Sequence, residues 1–240
     1  MTVSRQDFED AVAAYWGSKQ TQSELSAIKD RVGLGTAGSV RAGKHSDSIA
    51  ALLAKFFLEA GYPLDAIRVT KSQGLELPVY YHPQKQWDVV VAHKNTLVAA
   101  FELKALGAPS FGNNYNNRVE EALGSAVDLR RAVLANLFPG EKPWIGYFFI
   151  MEDAAARAAR SRQQRVLCRL ARFGSVDHIR TDLGSFVRRM PAEGLYDAVC
   201  YFTSSADMPQ PIELVANLDW RHFSASIRVC ITYLQELGIP

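Results

Sequence analysis

The stretch that most constrains the fold is WDVVVAHKNTLVAAFELK, residues 87–104. Two runs, KQWDVVV (starting at Lys85) and TLVAAFELKA, flank a polar link, AHKN. Short apolar runs rich in β-branched residues and bounded by turn residues read as buried strands, and so short a link predicts an antiparallel hairpin at the centre of a sheet. Buried strands tolerate few ionisable groups, because an isolated charge is costly to bury unless it is paired, neutralised or bound to a metal. Yet Asp88, Glu102 and Lys104 lie inside or against these runs. Either Glu102 and Lys104 pair at a strand end while Asp88 caps a turn, or the three groups are the chemistry of the protein.

Strand geometry allows all three to converge. Lys104 is two residues past Glu102 and so shares its face, and Asp88 ends the adjacent strand. Two carboxylates plus a backbone carbonyl suit Mg²⁺, a hard cation that takes oxygen ligands and keeps waters for phosphate substrates. The neighbouring amine can orient a water or help deprotonate it, while the metal stabilises the transition state and the leaving oxygen. An assembly of this kind cleaves phosphodiesters. An acid, a gap and E-x-K is a weak pattern by itself. The embedding in VVV and LVAAF, the fourteen-residue gap and the Asn/Arg-rich stretch that follows favour the catalytic reading.

The rest of the chain frames this hairpin. Helical spacing of Phe8, Val12, Tyr15 and Trp16 predicts one or two helices over residues 4–28, with Ser4 as N-cap. Residues 33–47, with four glycines and no apolar period, predict a loop; Gly43-Lys44 is not followed by Ser or Thr, so it is no phosphate loop. A helix capped by Ser46 runs to Gly61 and Pro63, followed by short β-rich pieces in IRVTK and ELPVYYH. After the hairpin, SFGNNYNNRVEEALGSAVDLRRAVLANLF predicts a Gly/Asn loop and then a long helix, and WIGYFFIM a buried strand. Helical segments follow over AAARAARSRQQRVLCRLARF and HIRTDLGSFVRRM, then a strand in YDAVCYFTS and a closing helix near 221–237. This alternation implies an α/β fold, a sheet with helices on both faces.

With 240 residues, 48% apolar and 22% charged, the chain reads as an ordinary globular protein. One domain over 1–240 is expected, with a helical N-terminal region (1–62), a catalytic core (about 63–151) and a helix-rich C-terminal region (152–240). No apolar run approaches the ~18 residues of a spanning helix, and MTVSRQDFED has no apolar signal core. A cytoplasmic location is therefore expected. Cys168, Cys200 and Cys230 form no C-x-x-C pair, which argues against a disulfide framework or a zinc site. The formal charge of +2 is unevenly spread: residues 157–189 hold nine arginines against Asp177 and Asp182, while 190–240 run to −4. Arg162, Arg165, Arg169 and Arg172 share one helical face, suited either to solvent or to a phosphate backbone.

WDVVV, FELKAL, SFGNNYNNRVEEALGSAVDL and the upstream GSVRAGKHSD together resemble the PD-(D/E)XK nucleases, and among them the XhoI-type restriction endonucleases. The likeness covers about the first 130 residues; Trp87 stands where the motif's name has proline. It implies a restriction-endonuclease-like core, a mixed β-sheet flanked by helices. It also implies a bacterial, homodimeric, Mg²⁺-dependent type II enzyme cutting double-stranded DNA at a palindrome, with a cognate methyltransferase protecting the same site. For XhoI-like enzymes that site is CTCGAG, cut after the first C to leave 5′ overhangs. By position, Asp88 and Glu102 would hold the metal, Leu103 would lend its carbonyl, and Lys104 would position the water.

Asn113, Asn114, Asn116, Asn117 and Arg118 are candidates to read base edges, since Asn pairs with adenine and Arg with guanine in the major groove; a turn and a helix cap would account for some of the asparagines. Arg41 and Lys44 are candidate DNA contacts in the glycine-rich loop, Asp47 and Glu59 possible further acids, and Glu120 and Glu121 either first-turn residues or support for Lys104. Two other functions fit the same residues: a structure-specific repair or recombination nuclease, and a non-catalytic DNA-binding protein. Cutting of flaps or junctions alone would mark the first, and absence of divalent-metal uptake the second.

Overall fold

The centre of the fold is an eleven-residue strand, β5 (Thr96–Leu106), buried along most of its length. In the computed structural model it pairs antiparallel with β4 (Val89–His93) and parallel with β6 (Trp144–Glu152). β7 (Ala198–Ser204) continues the parallel side and the two-residue β1 (Ile67–Arg68) the antiparallel one, giving a five-stranded mixed sheet of order β1-β4-β5-β6-β7. The described residues are 2–31, 46–69, 74–107, 111–153 and 183–239, with the side chains of 22–31, 111–116 and 183–185 excepted.

The hairpin forms as its sequence predicts. Lys94 and Asn95 make the turn with φ of 48° and 62°, the left-handed pair that a two-residue hairpin requires. The strands are continuous apolar runs, not alternating ones, because both faces of the sheet are covered. One face carries α1 (Arg5–Arg31), α2 (Asp47–Glu59) and α5 (Trp220–Glu236), packed on Val89, Phe101, Phe148 and Phe202. The other carries α3 (Phe111–Leu134) and α4 (Leu183–Ala192), packed on Val90, Ala100, Tyr147 and Val199. A small second sheet, β2 (Glu76–Leu77) with β3 (Lys85–Gln86), lies on this second side, where Leu75, Leu77 and Trp87 join the same core. This is the mixed sheet flanked by helices expected of a restriction-endonuclease-like core.

Several local expectations are refined. The N-terminal segment is one helix, opened by Ser4, whose backbone N–H and Oγ both donate to Asp7 Oδ2 at 2.7 and 2.6 Å. Ser46 precedes α2 but its side chain makes no capping bond. In ELPVYYH only Glu76 and Leu77 are strand, and Lys85–Gln86 belongs to β3 instead of extending β4. The largest correction concerns Asn113 to Asn117, which lie in the opening turns of α3 and not in a loop. Asparagine favours turns and caps, but Ala122, Ala126 and Leu129 bury against the sheet and tertiary packing stabilises the helix past that local preference. The segment AAARAARSRQQRVLCRLARF, with its arginine face, lies outside the described residues, as does the glycine-rich loop.

Candidate active site

Asp88 stands at the mouth of β4, where its backbone N–H donates to the Phe101 carbonyl at 3.0 Å. One step back from the paired Val89 and Phe101, it comes opposite Glu102. Its Oδ2 accepts from the Leu103 N–H at 2.7 Å, so the carboxylate is docked on β5. A strand residue turns its N–H and C=O to the same neighbour, which puts the Leu103 carbonyl on the Asp88 side of β5.

Glu102 is 2% exposed, on the sheet face covered by α3. Its Oε1 lies 3.1 Å from Lys104 Nζ, 3.6 Å from Lys85 Nζ and 3.3 Å from Ser125 Oγ, and its Oε2 accepts from the Tyr196 hydroxyl at 2.8 Å. Four elements therefore meet at one carboxylate: β5 itself, β3, α3 and the segment that leads into β7. Lys104 also approaches Glu121 at 3.9 Å, and Glu121 is held by Arg118 one turn earlier on α3. Asp88, Glu102 and Lys104 are thus brought together, and Lys85, Ser125 and Tyr196 join them without having been singled out from the sequence. Ser125 did leave a trace, as a small polar residue on the apolar stripe of α3 between Ala122 and Leu129. Lys85 and Tyr196 left none.

The electrostatics follow from burial with imperfect charge balance. Burial raises the pKa of Asp88, and Glu102 adds to the effect, while the Leu103 N–H, Lys104 and Lys85 work against it; the net shift is upward. Burial disfavours the Lys104 ammonium, but attraction to Glu102, Asp88 and Glu121 outweighs it and its pKa is raised. Beside these carboxylates the Lys104 ammonium is held in its charged form, 3.1 Å from Glu102 Oε1. The Tyr196 phenol, buried and next to Glu102, has its pKa pushed well above the ordinary value and stays a donor.

The carboxylates of Asp88 and Glu102 and the Leu103 carbonyl make an all-oxygen donor set. Among the described residues no group of three or more acids, histidines or cysteines is placed to hold a metal ion. Two carboxylates with the remaining positions left to water and substrate fit Mg²⁺ better than an ion that needs many protein ligands.

The other candidates divide clearly. Asn117 is exposed beside Arg118, and Arg118 is tied to Glu121; the side chains of Asn113, Asn114 and Asn116 and all of Arg41 and Lys44 lie outside the described residues. Asp47 is an exposed first residue of α2. Glu59 accepts from the backbone N–H and the hydroxyl of Thr2, at the end of a helix on the opposite face from Glu102. Glu120 is exposed.

A type II restriction enzyme XhoI of Xanthomonas vasicola is 36% identical over 152 residues, 62% of this chain and 60% of that protein. The type II restriction enzyme BstVI of Geobacillus stearothermophilus is 40% identical over 125 residues, 50% and 55% of the two chains. The type II restriction enzyme AbrI of Azospirillum brasilense is 33% identical over 159 residues, 64% and 71% of the two chains. This chain thus spans 60% and 55% of the lengths of the first two relatives. No solved structure matches it. The family model described as restriction endonuclease XhoI matches residues 26–211, a span that takes in β4, β5, α3 and every side chain that grips Glu102. On that match the chain belongs to the XhoI restriction endonuclease family.

Proposed function

We propose that the protein is a type II restriction endonuclease of the PD-(D/E)XK kind, hydrolysing double-stranded DNA at a palindromic site with Mg²⁺. The observation that carries this reading is the meeting of Asp88, Glu102 and Lys104 at one point on adjacent strands. Membership of the family and the type II names of its relatives support it. The family likeness makes CTCGAG, cut after the first C to leave 5′ overhangs, the sequence to test first.

Asp88 and Glu102 present carboxylate oxygens, and Leu103 a carbonyl, at positions where a hard cation would be held. When bound, such an ion polarises the phosphoryl group and stabilises charge on the leaving oxygen. The Lys104 ammonium, anchored to Glu102, orients the attacking water or a phosphate oxygen. The buried apolar walls of β4 and β5 keep these groups from swinging into solvent. Asn113, Asn114, Asn116, Asn117 and Arg118, at the start of α3, are the candidates to meet base edges, with Arg41 and Lys44 as further DNA contacts. Cutting both strands of a palindrome calls for two centres related by a two-fold axis, hence a homodimer. A methyltransferase acting on the same site would protect host DNA without a stable complex, and the cytoplasm is the compartment where both would act.

Digestion of a plasmid of known sequence with Mg²⁺, followed by sequencing of the ends, tests the reading. Discrete fragments ending at one palindrome are expected. Asp88→Ala, Glu102→Ala and Lys104→Ala should each bind duplex but cut at least ~100-fold more slowly, the scale on which a positioned acid–base or charge-stabilising group contributes. Random smearing, or cutting confined to flaps and junctions, would sink it.

A further inference from the structure

Glu102 is held by more than its lysines. The torsion that sets the plane of a glutamate carboxylate is soft, with broad and roughly two-fold preferences, so in a binding site that plane is set by whatever donates to the two oxygens. Lys104, Lys85 and Ser125 all reach Oε1, whereas Tyr196 reaches Oε2 at 2.8 Å. We propose that Tyr196 is a positioning residue for Glu102, its hydroxyl fixing the orientation in which that carboxylate meets a divalent cation. The inference rests on the role assigned to Glu102 above.

Three observations favour this over a purely structural anchor. The hydroxyl has one proton and two acceptors in reach, Glu102 Oε2 at 2.8 Å and the Ala122 carbonyl at 3.0 Å. Donation to an ionised carboxylate is the stronger choice, and the Ala122 carbonyl, inside α3, already has the helix ladder to engage it. Secondly, the ring cannot swing away: Tyr196 is 1% exposed and its ring centroid lies 5.1 Å from that of Tyr147 on β6. Thirdly, the backbone at this point is pinned by the next residue. Asp197 accepts from the Ile145 N–H at 2.7 Å and from Arg130 of α3 at 2.7 Å, while its own N–H donates to the Ile145 carbonyl at 2.8 Å. The hydroxyl is therefore delivered to Glu102 from a rigid junction of β6, β7 and α3.

Tyr196→Phe removes one oxygen and keeps the ring. The full-length variant, bound to a CTCGAG duplex, is titrated with Mn²⁺ by calorimetry, and its plasmid cleavage is measured across Mg²⁺ concentrations beside a thermal melt. Outer partners of metal-holding side chains typically contribute roughly 10–100-fold in metal affinity or activity, so a fall of that size in Mn²⁺ affinity and a matching rise in the Mg²⁺ midpoint are expected, with DNA binding retained. A variant that did not fold, or one whose loss followed a lower melting temperature with the metal midpoint unmoved, would make the hydroxyl a structural anchor and overturn the inference. Glu102→Gln separates the two levels. If it takes up Mn²⁺ and cuts like the unaltered chain, the role of Glu102 falls and that of Tyr196 with it. If it is inert while Tyr196→Phe behaves as unaltered, only the role of Tyr196 falls.

Discussion

At the scale of single residues, buried charges in this protein survive by being surrounded with donors. Asp128 on α3 is a second case, away from the cluster of Asp88, Glu102 and Lys104. It is 3% exposed, and its carboxylate accepts from the Tyr81 N–H at 2.5 Å and faces the His82 ring at 2.7 Å. Burial alone would raise its pKa, but these hydrogen bonds and the imidazole outweigh it and the pKa is lowered. A carboxyl whose folded pKa lies below its unfolded value stabilises the fold above the unfolded pKa and loses that contribution as pH falls through the folded one. Asp128→Asn should therefore cost about 1 kcal/mol at pH 7, seen in urea denaturation. Its difference from the unaltered chain should begin to shrink as pH falls below ~4, where the unfolded chain takes up the proton, and close as pH falls through the lowered folded pKa. A gap constant down to low pH would contradict the assignment.

At the scale of elements, the sheet depends on how closely β5 and β6 approach. Gly146 pairs with Phe101, and a Cβ there would run into the Trp144 ring and come within 2.9 Å of Phe101 Cδ1. Trp144 and Phe101 are buried aromatics 5.1 Å apart, with Phe223 of α5 against both, so neither ring has room to yield. Gly146→Ala should destabilise by about 1–3 kcal/mol, the usual cost of overpacking, read as a lower urea midpoint with unchanged slope. Because Phe101 adjoins Glu102, under the proposed function DNA cleavage should fall with it. The hairpin and the buried strands were legible in the sequence because their signals are local: an unbroken apolar run and a polar link. The start of α3 was not, because the asparagines favour a turn locally and only the docking of Ala122, Ala126 and Leu129 on the sheet decides for helix.

At the scale of the whole molecule, the proposed function requires one centre per chain to serve two DNA strands. Under the proposed function, sedimentation with a CTCGAG duplex in Ca²⁺ should give two chains per duplex, and nicked intermediates should not accumulate during cleavage. One chain per duplex would contradict the dimer and leave the catalytic assignment standing. Of the nine arginines of 157–189, Arg188 and Arg189 have described side chains, exposed on α4.

The sequence by itself determined the hairpin and the trio it carries. Asp88, Glu102 and Lys104 lie within seventeen residues on two strands joined by a tight turn, so strand period and register alone bring them to one face. The tertiary structure decided what grips Glu102. Ser125 is 23 residues away and Tyr196 is 94, delivered by a helix docked on the sheet and by the parallel pairing of β7 on β6. Beyond the polar break that Ser125 makes in the apolar stripe of α3, contacts across such separations leave no periodic mark on the chain. They exist because the two faces of the sheet had to be covered, and the residues that cover one of them also hold its buried charge.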